Sequence, residues 1–327
     1  MEAMEETAFF QLIQKKELAG AYLLYGAEPY SRESAVKQIL ELVEDAAREL
    51  NTQLLKNPPT EDVINACETL PFFAEKRVVR VRELAADAAT SLAPYMEKVP
   101  EWTILLVEYA GKPNVQNALF KTMQKQGRTV EFAAFEPERA VAFIEKRARA
   151  RKVEMEHNAA RRMVDWLGTD LSTLENTLYL LAGYVGDGGC ITPQTVAHCV
   201  TPSSEYKIFT ILDALIAGNK KDAVGQLMGM IKSGADTSMR LASFFEGRIR
   251  QMVQAKAMLL HGIPEQQIVK ALGGSPYAAK KTVQNARKCK AEQLLSALDG
   301  FAAVDWQQKQ GRMKDDDALL LAVLQNF

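Results

Sequence analysis

Along the first 135 residues the apolar positions keep two alternating rhythms. Ala21-Tyr-Leu-Leu-Tyr25, Val78-Val-Arg-Val-Arg82, Thr103-Ile-Leu-Leu-Val107 and Thr129-Val-Glu-Phe132, with a weaker run at Thr52-Gln-Leu-Leu55, have the length and composition of strands. Between them Val36, Ile39, Leu40, Val43, Ala47 and Leu50 fall on one helical face, and helical stretches are expected at 60–69, 85–97 and 114–126. Strand and helix in alternation predict a parallel sheet covered by helices.

After Phe135-Glu-Pro137 the period becomes helical only, with helices expected at 138–150, 156–167 and 170–184 and a turn at Gly186-Asp-Gly-Gly189. Ile191-Thr-Pro-Gln-Thr-Val196 reads as a short helix with Thr192 as its N-cap and Pro193 at its first position. Thr201-Pro-Ser-Ser204 then breaks the chain. Helices follow at 207–217, 220–232, 237–260, 264–271, 276–287, 291–308 and 315–326, punctuated by Gly218, Gly234, Gly262 and Gly274. Each must bury one apolar stripe, which predicts a bundle. The expected fold class is α/β plus all-α, in three domains: 1–137, a small helical domain at 138–205, and a helical domain at 206–327.

The composition fits this size and class, with 47% hydrophobic residues in 327. No apolar run is long enough to span a bilayer, and the acidic start Met1-Glu-Ala-Met-Glu-Glu lacks the basic region of a signal peptide. A cytoplasmic location is expected, with no membrane partner. Cys67, Cys190, Cys199 and Cys289 are scattered and match neither a disulfide framework nor a zinc site. Forty basic and 41 acidic residues leave a net charge of −1, so any contact with DNA must be local. The densest basic run, Lys146-Arg-Ala-Arg-Ala-Arg-Lys152, closes a helix, where cations complement the helix dipole; it reads as a solvated helix end rather than a phosphate patch.

The turn after the first strand, Gly26-Ala-Glu-Pro-Tyr-Ser-Arg-Glu33, sits where a phosphate-gripping loop G-x-x-x-x-G-K-[ST] would be. Gly26 fits the first position, but Ser31, Arg32 and Glu33 stand at the other three. The phosphate lysine and the magnesium hydroxyl are therefore missing, and Glu33 would set a carboxylate beside the phosphates. The same residues also suit an ordinary strand–turn–helix whose Gly26 only makes the bend. At the end of the 103–107 strand, where a metal-binding acidic pair would lie, Glu108 stands alone and reads as a strand-end residue in solvent. His157, His198 and His261 are far apart in sequence. No cofactor, metal or catalytic residue is expected.

Leu70-Pro-Phe-Phe-Ala-Glu-Lys-Arg77 lies between a helix and the 78–82 strand. Neighbouring side chains of an extended segment point opposite ways, so Phe72 and Phe73 cannot both turn inward. Either at least one is an exposed docking anchor, or the pair folds back onto the sheet edge as core.

In this order and spacing, the degenerate phosphate loop, the Leu-Pro-Phe-Phe-Ala element and the two helical regions resemble the delta-subunit family of bacterial DNA polymerase III clamp loaders. Further matching stretches are Gly168-Thr-Asp-Leu-Ser-Thr-Leu-Glu-Asn176, Ile191-Thr-Pro193 with Val196, Phe209-x-x-x-Asp213-Ala-Leu215 and Asp305-x-x-x-Lys309-x-Gly311. The resemblance covers essentially the whole chain. It implies an AAA+-like parallel-sheet domain, a helical lid and a C-terminal helical collar, in a non-catalytic subunit of a DNA polymerase holoenzyme. It also implies a protein that opens the beta sliding clamp without hydrolysing ATP. The implied partners are that clamp, the gamma/tau and delta prime type subunits joined through the collar, and primer–template DNA inside the assembled complex. Phe72 and Phe73 match the clamp anchors, with Leu70 and Pro71 shaping the turn; Phe stands where relatives often carry Leu before the final Phe. Two other readings use the same residues: an active NTPase with a variant loop, and a direct DNA-binding protein acting through 146–152.

Overall fold

The computed structural model describes residues 3–234, 236–273, 276–310 and 313–326. Gly274 and Gly311 lie outside the described residues, as does the side chain of Asp305. The chain divides into two compact units, 1–135 and 136–327.

The first unit runs α1 (Glu6–Gln14), β1 (Gly20–Tyr25), α2 (Pro29–Leu40), α3 (Asp45–Asn51), β2 (Thr52–Lys56), α4 (Thr60–Glu68), β3 (Arg77–Arg82), α5 (Ala86–Leu92), β4 (Thr103–Glu108), α6 (Ala118–Lys125) and β5 (Thr129–Glu131). Its five strands form one parallel sheet in the order β2-β3-β4-β1-β5, with Tyr22 opposite Leu106 and Val79 opposite Leu105. Because side chains alternate along a strand, each unbroken apolar run serves two cores at once. Ala21, Leu23, Tyr25, Val79, Leu105 and Val107 pack on one face against α4, α5 and α6. Tyr22, Leu24, Val78, Ile104 and Leu106 pack on the other against α1 and α2.

The expected elements are present, with four main differences besides the helix expected at 85–97, which ends at Leu92 and passes into a short 3-10 turn at Ala93–Tyr95. The helical face drawn through 36–50 is broken: α2 ends at Leu40, and Arg48 donates to the carbonyls of Leu40 (2.9 Å) and Val43 (3.0 Å). Those bonds satisfy carbonyls left over at the helix end, so the break is stable although the buried Val43 keeps the helical spacing. Helix α1 was not expected, though the four-residue interval between its buried Phe9 and Ile13 is a helical signature. The stretch expected from 114 becomes helical only at Ala118, where the Asn117 carboxamide accepts from Leu119 N as an N-cap.

The fourth difference lies in the second unit, which is not purely helical. It comprises α7 (Pro137–Ala150), β6 (Glu154–Met155), α8 (His157–Leu167), α9 (Leu171–Val185), β7 (Cys190–Ile191), α10 (Pro193–Cys199), α11 (Ser204–Ile216), α12 (Lys220–Ser233), α13 (Ser238–Leu260), α14 (Glu265–Leu272), α15 (Pro276–Lys288), α16 (Ala291–Lys309) and α17 (Asp315–Asn326). The two short strands pair in parallel, and two residues are too few to show an alternation. Thr192 caps α10 through a reciprocal hydrogen-bond pair with Thr195, as its position before Pro193 predicts. From Ile208 onward a single core, including Leu212, Leu227, Phe245, Ile249 and Leu294, holds α11–α17 together.

Candidate functional site

The loop between α4 and β3 is braced at both ends and exposed at its tip. Helix α4 is held at its end by Thr103 Oγ1, which donates to Cys67 O at 2.7 Å. On the far side Arg77 is buried and donates to the carbonyls of Ala66 (2.9 Å) and Leu50 (3.1 Å) and to the Gln53 carboxamide (2.9 Å). Between these braces Asn51, fully buried at the end of α3, grips the loop backbone. Its Oδ1 accepts from Phe72 N at 2.6 Å, and its Nδ2 donates to Phe72 O at 2.7 Å and Ala47 O at 2.8 Å.

What this frame presents is apolar. Leu70 is 67% exposed, Phe72 54% and Phe73 85%, with Pro71 half-buried beside them. The phenyl rings meet edge to face, 4.4 Å between centroids at 78°. Neither ring belongs to the core, so the fold-back alternative is set aside. Phe73 has φ +50°, a left-handed conformation that costs a branched or bulky residue on the order of 1–2 kcal/mol. Beside it opens a cleft of about 480 Å³ lined by Leu18, Val43, Ile104 and Lys76.

The phosphate-type loop is closed by its own side chains. Gly26 and Gly111 exchange backbone hydrogen bonds at 3.1 Å. Gly26 has φ +129°, and a Cβ there would lie 2.1 Å from Phe132 O, so only glycine fits. Arg32, at the position of the phosphate lysine, is buried and turned inward, donating to Gly26 O at 3.0 Å and more weakly to Tyr109 O at 3.4 Å. The buried Glu28 carboxylate accepts from Tyr30 N at 2.8 Å and so occupies the first turn of α2, where a phosphate would be received.

Glu108 is not the solvated strand end expected from its sequence. It is buried, and its carboxylate takes Arg80 Nε at 2.8 Å and Arg82 Nε at 3.0 Å from the neighbouring strand β3. Arg82 also pairs with Glu33 at 2.5 Å, and Arg80 reaches Glu33 at 3.6 Å. Glu33 and Glu108 are thus both paired with guanidinium groups. Sequence reading missed these partners because Arg80 and Arg82 precede Glu108 by more than twenty residues, and only strand register brings them together.

The basic run divides. Arg147 clasps the buried Glu175 of α9 with bonds as short as 2.6 Å, and Arg151 adds another at 2.5 Å while lying over the Tyr179 ring. Burial pushes the Glu175 carboxyl up, but the hydrogen bonds and charges of Arg147 and Arg151 hold it below its ordinary value. Lys146, Arg149 and Lys152 remain exposed. Asp170 caps α9 by accepting from Thr173 N at 2.7 Å, so the 168–176 stretch is an N-cap followed by an arginine anchor. In the later match, Phe209 and Leu215 are buried and Asp213 pairs with Lys281 at 2.7 Å.

The three histidines do not converge: His157 pairs with Glu145, His198 lies beside the Tyr184 ring and His261 contacts Ala257 O. All four cysteines are free, Cys67 and Cys289 buried, Cys190 and Cys199 exposed. Among the described residues no helix is long and apolar enough to cross a membrane, and no group of three or more metal-ligating side chains forms.

Comparison with known proteins bears on this geometry. Residues 22–133 match the family model described as DNA polymerase III, delta subunit, and residues 205–326 match that of the C-terminal domain of the same DNA polymerase III delta subunit. The DNA polymerase III subunit delta of Bacillus subtilis strain 168 is 24% identical over 325 residues, covering 94% of this chain and 92% of the relative. The solved Bacillus subtilis DNA clamp loader delta protein has the same fold, with a TM-score of 0.76 at 22% identity and 98% of each chain covered.

Proposed function

This chain belongs to the DNA polymerase III delta-subunit family, and from that premise we propose that it binds and opens a ring-shaped sliding clamp for loading onto primed DNA. Phe72 and Phe73 are the anchors, and Leu70 and Pro71 shape the turn that presents them. The observation that carries this reading is an exposed aromatic pair on a backbone fixed by Asn51 and Arg77. An anchor held in place before binding loses little conformational freedom when its partner arrives.

The protein does not hydrolyse ATP in this reading. Glu28 fills the helix terminus that would receive phosphate, Arg32 is turned onto the carbonyls of Gly26 and Tyr109, and Glu108 is bound by two arginines. Those contacts argue against the NTPase alternative. The three-part organisation, with a sheet domain to residue 137, a lid at 138–205 and a collar from 206, gives each role a place. The collar holds the gamma/tau and delta prime type subunits, and primer–template DNA enters the assembled complex in the cytoplasm.

A titration of the full chain with the sliding clamp of its own organism, with and without ATP and magnesium, tests this. The clamp should bind in the absence of nucleotide, and a fluorescent ATP analogue should give no saturable signal. A chain that ignores the clamp, or binds ATP with micromolar affinity, contradicts the reading.

A further inference from the structure

The net charge of −1 conceals a strong local excess. Residues 240–290, which form most of α13, all of α14 and α15 and the turn after it, hold ten basic residues and two acidic ones, a net +8. From Pro276 to Lys290 there are five cations and no carboxylate. The three helices pack on one another, so the excess is gathered in space as well as in sequence.

Helix α15 sorts its residues by face. Ala278, Ala279, Val283 and Ala286 are buried, while Lys280, Gln284, Arg287 and Lys288 recur at helical spacing on the exposed side, and Lys290 extends the row past the helix end. Lys281 and Arg287 are partly neutralised by Asp213 and Glu265, each at 2.7 Å. Lys280, Lys288 and Lys290 make no direct ion pair among the described residues, although Glu138 of α7 lies close enough to Lys280 to feel its charge. Lys256 of α13 adds to the same spot: burial pushes the Cys289 thiol up, and the nearby charges of Lys256 and Lys288 pull it back.

We infer that the exposed face of α15, with Lys280, Lys288 and Lys290 and with Lys256 beside them, binds the phosphate backbone of duplex DNA. Lys280 and Lys288 are about 12 Å apart along a helix, and a duplex carries one charge for about every 1.7 Å of its axis, so each ammonium group finds a phosphate. A docking face for a protein would instead centre on aromatic or aliphatic side chains and be poor in lysine. No large apolar residue interrupts this row. The 146–152 run, denser in sequence, is the weaker candidate because two of its arginines are committed to Glu175.

The inference goes beyond the clamp reading and fails separately from it. Fluorescence anisotropy of the full chain on a labelled primer–template duplex, over a series of salt concentrations, reads it. Wild type should bind with a steep salt dependence. Lys280→Glu/Lys288→Glu/Lys290→Glu should weaken binding about tenfold or more and flatten the logarithmic salt slope by about 2–3, one phosphate contact for each lysine. Lys146→Glu/Arg149→Glu/Lys152→Glu should stay within about twofold of wild type. The neutral Lys→Gln triple at 280, 288 and 290 should show a smaller loss in the same direction, and a thermal melt of each variant shows whether it is folded. A folded charge-reversed variant that binds as wild type does, or a wild type that does not bind duplex, overturns the assignment. So does a variant that keeps DNA but loses its partner subunits, which would give the face to a protein. Clamp affinity measured on the same preparations should not change.

Discussion

Asn51 is the residue on which the posture of the aromatic pair depends. It spends both ends of its carboxamide on backbone, and a fully buried position offers no water to replace those bonds if the side chain is removed. Asn51→Ala should cost about 1–3 kcal/mol of stability, since it leaves buried polar groups without partners. It should also weaken clamp binding although Asn51 itself is out of a partner's reach. Denaturant midpoints and a clamp titration on the same variant check both effects. Glu175 makes a prediction about pH. Its carboxyl is lowered from an ordinary 4.5 in the folded chain, so its contribution to stability is complete above the unfolded carboxyl range and disappears as pH falls through the lowered folded value. Glu175→Gln should reduce the thermal midpoint at neutral pH and flatten the acid limb of the stability curve; an acid limb as steep as wild type would show that the arginine clasp does not matter. Asn51 and Glu108 mark the limit of what the sequence shows at this scale. Phe72 and Phe73 stand out as a pair, but Asn51 gives no local sign of the loop it will hold, and Glu108 was misplaced because its partners lie on another strand.

At the scale of elements, the turn from β1 into α2 stands where a phosphate loop would be and is closed by Glu28 and Arg32. Arg32→Lys/Glu33→Thr would restore two motif positions, yet Glu28 would still occupy the helix terminus and Glu108 would still face Arg80 and Arg82. The double variant should therefore not bind ATP, and its thermal midpoint should fall because Arg32 no longer closes Gly26 to Tyr109. Saturable nucleotide binding would contradict the structural account of the loop. The elements themselves were largely legible. Strands buried on both faces appear as continuous apolar runs, and Pro or capping residues mark helix starts at α7 and α10. What escaped was set by side chains acting across a gap. The end of α2 is fixed by Arg48 rather than by a proline or glycine, and β6 and β7 exist only because they pair with each other.

At the scale of the whole molecule, the cores are separate. The packing of the helices from 208 onward draws on residues 208–323, while the two cores of the sheet unit draw on residues 9–132. Deleting 206–327 should therefore abolish assembly with partner subunits and leave clamp binding by 1–205 within a few-fold of wild type. A truncated chain that keeps its partners and loses the clamp would reverse the assignment. The most direct test of the central claim remains Phe72→Ala/Phe73→Ala, measured for both clamp affinity and thermal midpoint. Two aromatic anchors that become fully buried at about 1.5–3 kcal/mol each are worth roughly a hundredfold to ten-thousandfold in affinity. Exposed as they are in the free chain, their loss should move the midpoint by only a few degrees, where removing two core phenylalanines would cost about 3–5 kcal/mol each. The account predicts a folded variant that no longer holds the clamp; a folded variant that binds the clamp as wild type does would contradict it.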